Sequence, residues 1–308
     1  MVLGSLWQST RTDTPADVVD IRNSKMKNLP EITAKYLFDL GIVDIFLSKR
    51  IKNFIYPHMR LLNLLDSGKF GLIEEYGLVK IVRNFQKIFF LGPGESKWQY
   101  YRLKKGHSLD KDLVEIIEEL KTIKAPKFVI DLSFVDILFP EERRSLINEI
   151  KDTYTFLSNY FLISNNLYIV NNKGLKLDFI SNVYGSFDYS SLGVDKIYLL
   201  DPNADELFDL MLRPNVGYVI GGIVDKSNRL KGLTSFLCRD YDVERVKIEI
   251  LGNPWLISQK IDSIIKAMVL RTFNEALDEY SALISVMNKE EIKRLQDFIL
   301  QNILQKLK

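Results

Sequence analysis

Between residues 127 and 251 short apolar runs of strand length alternate with longer amphipathic or turn-rich stretches, and this alternation leaves the chain few architectures. Lys127–Phe134 (KFVIDLSF) reads as a strand buried on both faces, Glu141–Asn159 as an amphipathic helix and Leu167–Val170 as a second strand. Leu175–Ile180, Lys196–Leu200, Tyr218–Val224 and Arg245–Leu251 read as further strands. Strands separated by helices or long connections pair in parallel, so the pattern predicts an α/β unit with a largely parallel sheet flanked by helices. After Leu200, Asp201-Pro202-Asn203 reads as a turn that also supplies a helix N-cap.

The flanks read differently. From Leu29 to about Ile81 the pattern is helical, with Tyr36, Leu37 and Leu40 interleaved with Lys35, Lys49, Arg50, Lys52 and Arg60. Lys87–Leu91 is a short strand and Gly92-Pro93-Gly94 a turn. In Lys97–Lys105 aromatic and cationic side chains alternate, which suits stacking on bases and holding phosphates, and equally suits a core edge with lysines reaching past it. From Ile257 onward the chain reads as helix, with Asn288 capping a last helix through Leu304. The expected division is a basic helical N-terminal domain over 1–82, the α/β unit over 83–264 and a helical region over 265–308.

Composition narrows the chemistry mainly by exclusion. The 308 residues favour two or three packed units, and no apolar run approaches the ~20 residues of a bilayer span. Met1–Lys25 lacks the apolar stretch of a signal peptide, so the expected location is cytoplasmic. One cysteine, Cys238, and two separated histidines, His58 and His107, argue against a disulfide and against a metal site. His58, in an apolar-basic stretch, reads as structural. Neither a G-x-G-x-x-G fingerprint, a Walker loop nor a G-x-S-x-G elbow is present, which counts against dinucleotide, P-loop and serine-nucleophile chemistry. A net charge of +2 leaves nucleic acid open, to be decided by where the charges lie.

The run Gly221-Gly222-Ile223-Val224-Asp225 sits where a strand leaves the sheet. Two glycines there permit close approach of a ligand, and ligands of open α/β sheets bind at the carboxyl ends of strands. An ordinary strand-to-loop turn with a solvated aspartate fits the same residues. Lys226, Asn228, Arg229 and Lys231 follow, so one carboxylate stands on a loop dense in cations. Such a loop suits a polyanion reacting at its edge: Lys226, Arg229 and Lys231 would hold phosphates while Asp225 faces the reacting base. Lys97, Arg102, Lys104 and Lys105 are the other candidate RNA contacts.

Taken together, YVIGGIVDKSNRLKG at Tyr218–Gly232, KIYLLDPNADEL at Lys196–Leu207 and FVIDLSF at Phe128–Phe134 resemble the tRNA purine-9 N1-methyltransferases of the SPOUT superfamily, archaeal branch, over roughly Lys87–Met268. The resemblance implies a parallel sheet whose C-terminal part is tied in a trefoil knot that binds S-adenosylmethionine. It places cofactor contacts on three loops: Leu199, Leu200 and Asp201; Gly221, Gly222 and Asp225; and Leu251, Gly252, Leu256 and Ile257. It assigns catalytic roles to Asp225 and to the strand acid Asp131. It further implies tRNA as the partner, a monomer, no metal, and adenine preferred over guanine or both accepted. The chain departs from the better known eukaryotic pattern in LLDPNAD and in KIEILGNPWLIS, the first and third loops. Two other readings remain: a non-catalytic tRNA-binding or chaperone module of the same fold, and a nucleotide-binding α/β regulator.

Overall fold

Period-two burial, not helical periodicity, governs much of the N-terminal hundred residues. The computed structural model describes residues 29–47, 51, 54–225 and 229–306. Met1–Lys25, Lys49, Arg50, Lys52, Lys226 and Asn228 lie outside them. The helical reading holds for α1 (Leu29–Asp39) and α2 (Pro57–Asp66), which flank a short strand, β1 (Asp44–Phe46). It fails after Lys69: β2 (Phe70–Phe85) is a long strand, followed by β3 (Ile88–Pro93) and β4 (Ser96–Lys105). Glu74, Tyr76 and Leu78 point outward while Val79 is buried, and the β-branched and aromatic content of the run suits a pleated surface. The four strands close into a barrel in the order β1-β3-β2-β4. Gly92 and Pro93, read as a turn, are the last residues of β3. At the turn itself a Cβ on Gly94 would lie 2.4 Å from the Val79 carbonyl carbon, so only glycine fits.

The boundary expected at residue 82 therefore falls inside β2, and the N-terminal unit is a mixed helix-and-barrel unit running to Lys105. Helix α3 (Lys111–Lys121) then leads into the sheet. Asn63 on α2 stitches the units together: its amide donates to the Phe161 carbonyl at 2.9 Å and accepts from the Ile163 amide at 2.8 Å. His58 is fully buried, stacks on Phe85 at 4.8 Å and bonds the Pro30 carbonyl through Nε2; burial pushes its pKa down to about 4.

The second sheet is built from β5 (Lys127–Asp131), β6 (Leu167–Val170), β7 (Lys196–Leu200), β8 (Glu206–Leu207), β9 (Val216–Gly221) and β10 (Glu244–Lys247). Its order is β6-β5-β9-β7-β10-β8 and every pairing is parallel. Alternate side chains of β5, β7 and β9 enter two cores. Phe128, Ile130, Leu200, Tyr218 and Ile220 face the main core, where α4 (Pro140–Leu157) and α6 (Ile261–Phe273) pack together. Val129, Leu199 and Val219 face a smaller core with Tyr189, Leu192, Leu237 and Cys238. The short helix α5 (Ile163–Asn166) precedes β6, while α7 (Glu279–Val286) and α8 (Lys289–Lys306) finish the chain. Asn288 caps α8 as expected, its Oδ1 accepting from the Glu290 and Glu291 amides.

One strand expectation and one helix N-cap expectation are corrected. Leu175–Ile180 is irregular, with Asn172 tying its start through the Leu175 amide and carbonyl. Asp201-Pro202-Asn203 is a turn, but no helix follows it: Asp201 Oδ1 accepts from the Asn203 amide and the chain runs into β8. Strand β10 lies between β7 and β8, only five residues apart in sequence, so the segment 201–205 steps from one side of β10 to the other. Ordinary connections do not cross a strand in this way. A threaded chain does. Among the described residues, no helix is long and apolar enough to cross a membrane.

Candidate active site

The three loops expected to meet a cofactor leave three neighbouring strands. Leu200 at the end of β7 pairs with Ile220 of β9 on one side and with Val246 of β10 on the other. The turn after β7, the glycine loop after β9 and the loop after β10 thus open at the same carboxyl edge of the sheet. Sequence separation hides this, because the adjacency is created by β10 inserting beside β7.

Asp201 anchors the first loop. It is almost fully buried; its Oδ2 accepts from Arg245 Nε at 3.0 Å and Nη2 at 2.6 Å, and its backbone amide donates to the Val246 carbonyl. Arg245 was no candidate in the sequence, and a cation near the start of a predicted strand carries no signal of its own. Leu199, expected at the cofactor, is fully buried in the smaller core, so its side chain packs the sheet and only its backbone reaches the edge.

The second loop is held to β5. The Gly222 amide donates to the Asp131 carbonyl at 2.7 Å, and a Cβ on Gly222 would stand 2.4 Å from Leu132 Cδ2 and 2.9 Å from that carbonyl oxygen. The second glycine is thus required by the protein's own backbone. Asp225 folds back on the residues that follow: Oδ1 accepts from the Arg229 amide at 3.2 Å and Oδ2 from the Leu230 amide at 2.6 Å. Arg229 is an exposed residue whose guanidinium is nonetheless tied back to the protein. Its Nη2 donates to Glu142 Oε2 at 2.6 Å and to the Ile137 carbonyl at 2.8 Å, and its guanidinium lies 4.1 Å over the Phe139 ring. Lys231 is exposed, with Nζ 4.5 Å over the ring of Trp255, so the second loop touches the third.

In the third loop Leu251 and Gly252 both take positive φ, +52° and +76°. Leu251 and Trp255 remain 45% and 40% exposed, an apolar wall beside the strand ends. Leu256 and Ile257 turn inward and are buried, so their side chains belong to the core and not to an open surface.

Asp131, expected to be catalytic, is 2% exposed and surrounded by donors. Oδ1 accepts from the Ser133 amide and hydroxyl at 2.7 and 2.6 Å, and Oδ2 from Asn171 Nδ2 at 3.1 Å and from the Tyr189 hydroxyl. A carboxylate offers about four lone-pair sites, and four donors occupy these. Burial, with Asp131 beside it, raises the Tyr189 pKa, and burial pushes the Cys238 thiol up to about 12, so neither is an acid-base group near neutrality.

The remaining expected RNA contacts lie on β4. Lys97, Lys104 and Lys105 are exposed, whereas Arg102 meets Glu75 at 3.3 Å and lies 5.4 Å from the Phe46 ring centroid. Sequence reading missed their neighbours across the strand pair. Leu78 is opposite Lys97 and Tyr76 is opposite Gln99, both exposed.

No family model matches the chain. It is 28% identical over 277 residues to the curated tRNA (adenine(9)-N1)-methyltransferase of Sulfolobus acidocaldarius, covering 87% of each protein. Among solved structures it is similar to Sulfolobus acidocaldarius Trm10 in complex with S-adenosylhomocysteine, with a TM-score of 0.59, 20% identity and 85% of each chain covered. A second structure of Sulfolobus acidocaldarius Trm10 matches with a TM-score of 0.55 at 25% identity, over 83% of this chain and 97% of the other. The parallel sheet, the glycine loop beside Asp131 and the near full-length match agree: the chain has the fold of the Trm10 methyltransferases and resembles them along most of its length.

Proposed function

We propose that this protein transfers the methyl group of S-adenosylmethionine to N1 of a purine at tRNA position 9, with adenine as the preferred base. The cofactor supplies an electrophilic methyl group on a sulfonium. The residues present fit it: three loops converge at one strand edge, two glycines bring backbone close, and Leu251 with Trp255 offers apolar surface for its adenosine. Gly221, Gly222, Gly252 and the Leu200–Asp201 backbone would hold it, and Asp201 keeps the first loop shaped through Arg245.

The observation that carries the choice of adenine is the setting of Asp225. Each of its oxygens already accepts a backbone N–H, which fixes its direction. Such a carboxylate is better suited to stand as a fixed negative charge than to collect a proton. Guanine N1 must lose a proton on methylation, whereas adenine N1 attacks with a free lone pair and leaves a cationic product. A preorganised negative charge stabilises that developing cation without reorganising. Positioning the two reactants supplies most of the remaining acceleration. The curated relative's printed name specifies adenine as well. Asp131, with its oxygens taken up by four donors, would act through the loop it shapes and not by touching the base.

Binding of RNA falls to Lys97, Lys104 and Lys105 on the outer strand pair, together with Lys231 and Lys226, the latter outside the described residues. Over residues 69–105 there are eight Lys and Arg against three Asp and Glu, a net of +5, while the whole chain carries +2. The charge asymmetry that bulk composition conceals is concentrated on the barrel, with exposed Tyr76 and Trp98 as stacking faces among the cations.

Thermal unfolding with and without cofactor tests the site. A ligand of the native state raises Tm, by about 2.7 kcal/mol of stabilisation at a hundredfold excess over Kd. S-adenosylmethionine raises Tm on this account; no rise at saturating concentration contradicts it.

A further inference from the structure

Glu142 lies on α4, outside every motif that singled out the site, and it is 1% exposed. A carboxylate that deep requires partners. Among the described residues, two of them join different parts of the protein. Oε2 accepts from the Phe139 amide at 2.8 Å, closing the first turn of α4, and from Arg229 Nη2 at 2.6 Å. Arg229 in turn donates to the Ile137 carbonyl at 2.8 Å and lies over Phe139, so its guanidinium is fixed by charge, by a hydrogen bond and by a ring at once. The segment that receives it is itself braced, because Arg143 donates to the Leu138 and Asp136 carbonyls at 3.1 and 2.7 Å.

The same residue also holds the acid of the glycine loop. The Arg229 amide donates to Asp225 Oδ1, and the next amide, of Leu230, donates to Oδ2. Leu230 is buried in the main core. Arg229 therefore grips Asp225 with its backbone and α4 with its side chain. The loop is pinned at its start by Gly222 on Asp131 and at its end by Arg229 on Glu142.

We propose that Glu142 is a positioning residue for methyl transfer: through its ion pair with Arg229, buried on the Glu142 side, it sets where the Asp225 carboxylate stands relative to the reacting base. The proposal rests on the methyltransferase reading above. It assigns Arg229 to the architecture of the loop and not to RNA phosphates. A displacement of about 1 Å at a reacting group can cost on the order of a hundredfold in rate, so a pin of this kind acts on kcat.

The test uses Glu142→Gln, Arg229→Gln and the double variant of the full chain. Glutamine at 142 still accepts from the Phe139 amide, as glutamine does in capping boxes, so the helix start is kept while the charge pair is lost. The expected result is a fall in kcat of roughly 10- to 100-fold in each single variant. KM for tRNA and the salt dependence of binding stay unchanged, and the double variant is no worse than either single one, as for groups acting as a unit. Hydrogen exchange at the Arg229 and Leu230 amides, read without any substrate, becomes faster in Glu142→Gln. Unchanged kcat in Glu142→Gln with a raised KM and a salt slope reduced by about one in Arg229→Gln would make Arg229 a phosphate contact and overturn the proposal. A lower Tm with kcat per folded molecule intact overturns it as well. If the wild-type protein methylates no RNA, the functional reading fails, and the exchange rates alone then decide: faster amides uphold the pin, unchanged amides remove it.

Discussion

Gly222 shows how little room the site leaves a single atom. An alanine Cβ there would meet the flexible end of Leu132, which can move, and the Asp131 carbonyl at 2.9 Å, which cannot move without breaking the bond it accepts from the Gly222 amide. Overpacking of this kind costs about 1–3 kcal/mol. We expect Gly222→Ala to lower Tm by several degrees and to weaken the rise that S-adenosylmethionine produces. Gly252→Ala, at φ +76° with open space around its Cβ, should cost only about 1 kcal/mol of backbone preference. Equal losses in the two variants, measured by thermal unfolding, would show that contact with Asp131 is not what requires glycine at 222. The pair of glycines and the acid were legible in the sequence, since the residue types themselves carry the chemistry. Glu142, Arg245 and the pairing of Arg229 with Glu142 were not: each is defined by a partner 44 to 92 residues away, and a charged side chain does not announce which way it faces.

At the scale of elements, the third loop is coupled to α4 through one carboxylate. Glu149 on α4 accepts from the Ile261 amide at the first residue of α6 at 3.1 Å. Burial, reinforced by Asp262 and Asp152 and opposed by that amide and Lys260, lifts its pKa to about 7. The native pKa lies above the unfolded value of about 4.3, so the native state holds this proton longer. The stabilisation is complete below the unfolded pKa and is lost as pH rises through about 7. Glu149→Gln keeps an acceptor for the Ile261 amide and removes the titration. It should therefore raise Tm relative to wild type at pH 8, by up to about 3 kcal/mol of stability, with the difference closing toward pH 5. A difference independent of pH would contradict this. Elements with one dominant period were legible: α4, β6, β7 and the Asn288-capped last helix lie close to where the pattern put them. The barrel strand β2 was not, because its cationic and apolar residues also match a helical spacing until its partners β3 and β4 are seen.

Over the whole molecule, two facts needed three dimensions: β10 lies between β7 and β8, and excess positive charge gathers on the barrel. The first brings three loops, spread over more than fifty residues, to one edge of the sheet. The second supplies a surface for a polyanion on a chain that is nearly neutral as a whole. Sequence fragments reached this arrangement only through family resemblance, since general rules of chain connection exclude the threading that produces it. Both facts fit the proposed reaction, methylation of a tRNA purine at N1, and that reaction can be read directly. The protein is incubated with S-adenosylmethionine carrying a labelled methyl group and with unmodified tRNA, the RNA is digested, and the labelled nucleoside is identified and mapped. The expected product is 1-methyladenosine at position 9, lost in Asp225→Ala by at least about a hundredfold in rate. Label on a ribose or a pyrimidine, or none in the RNA at all, would contradict it.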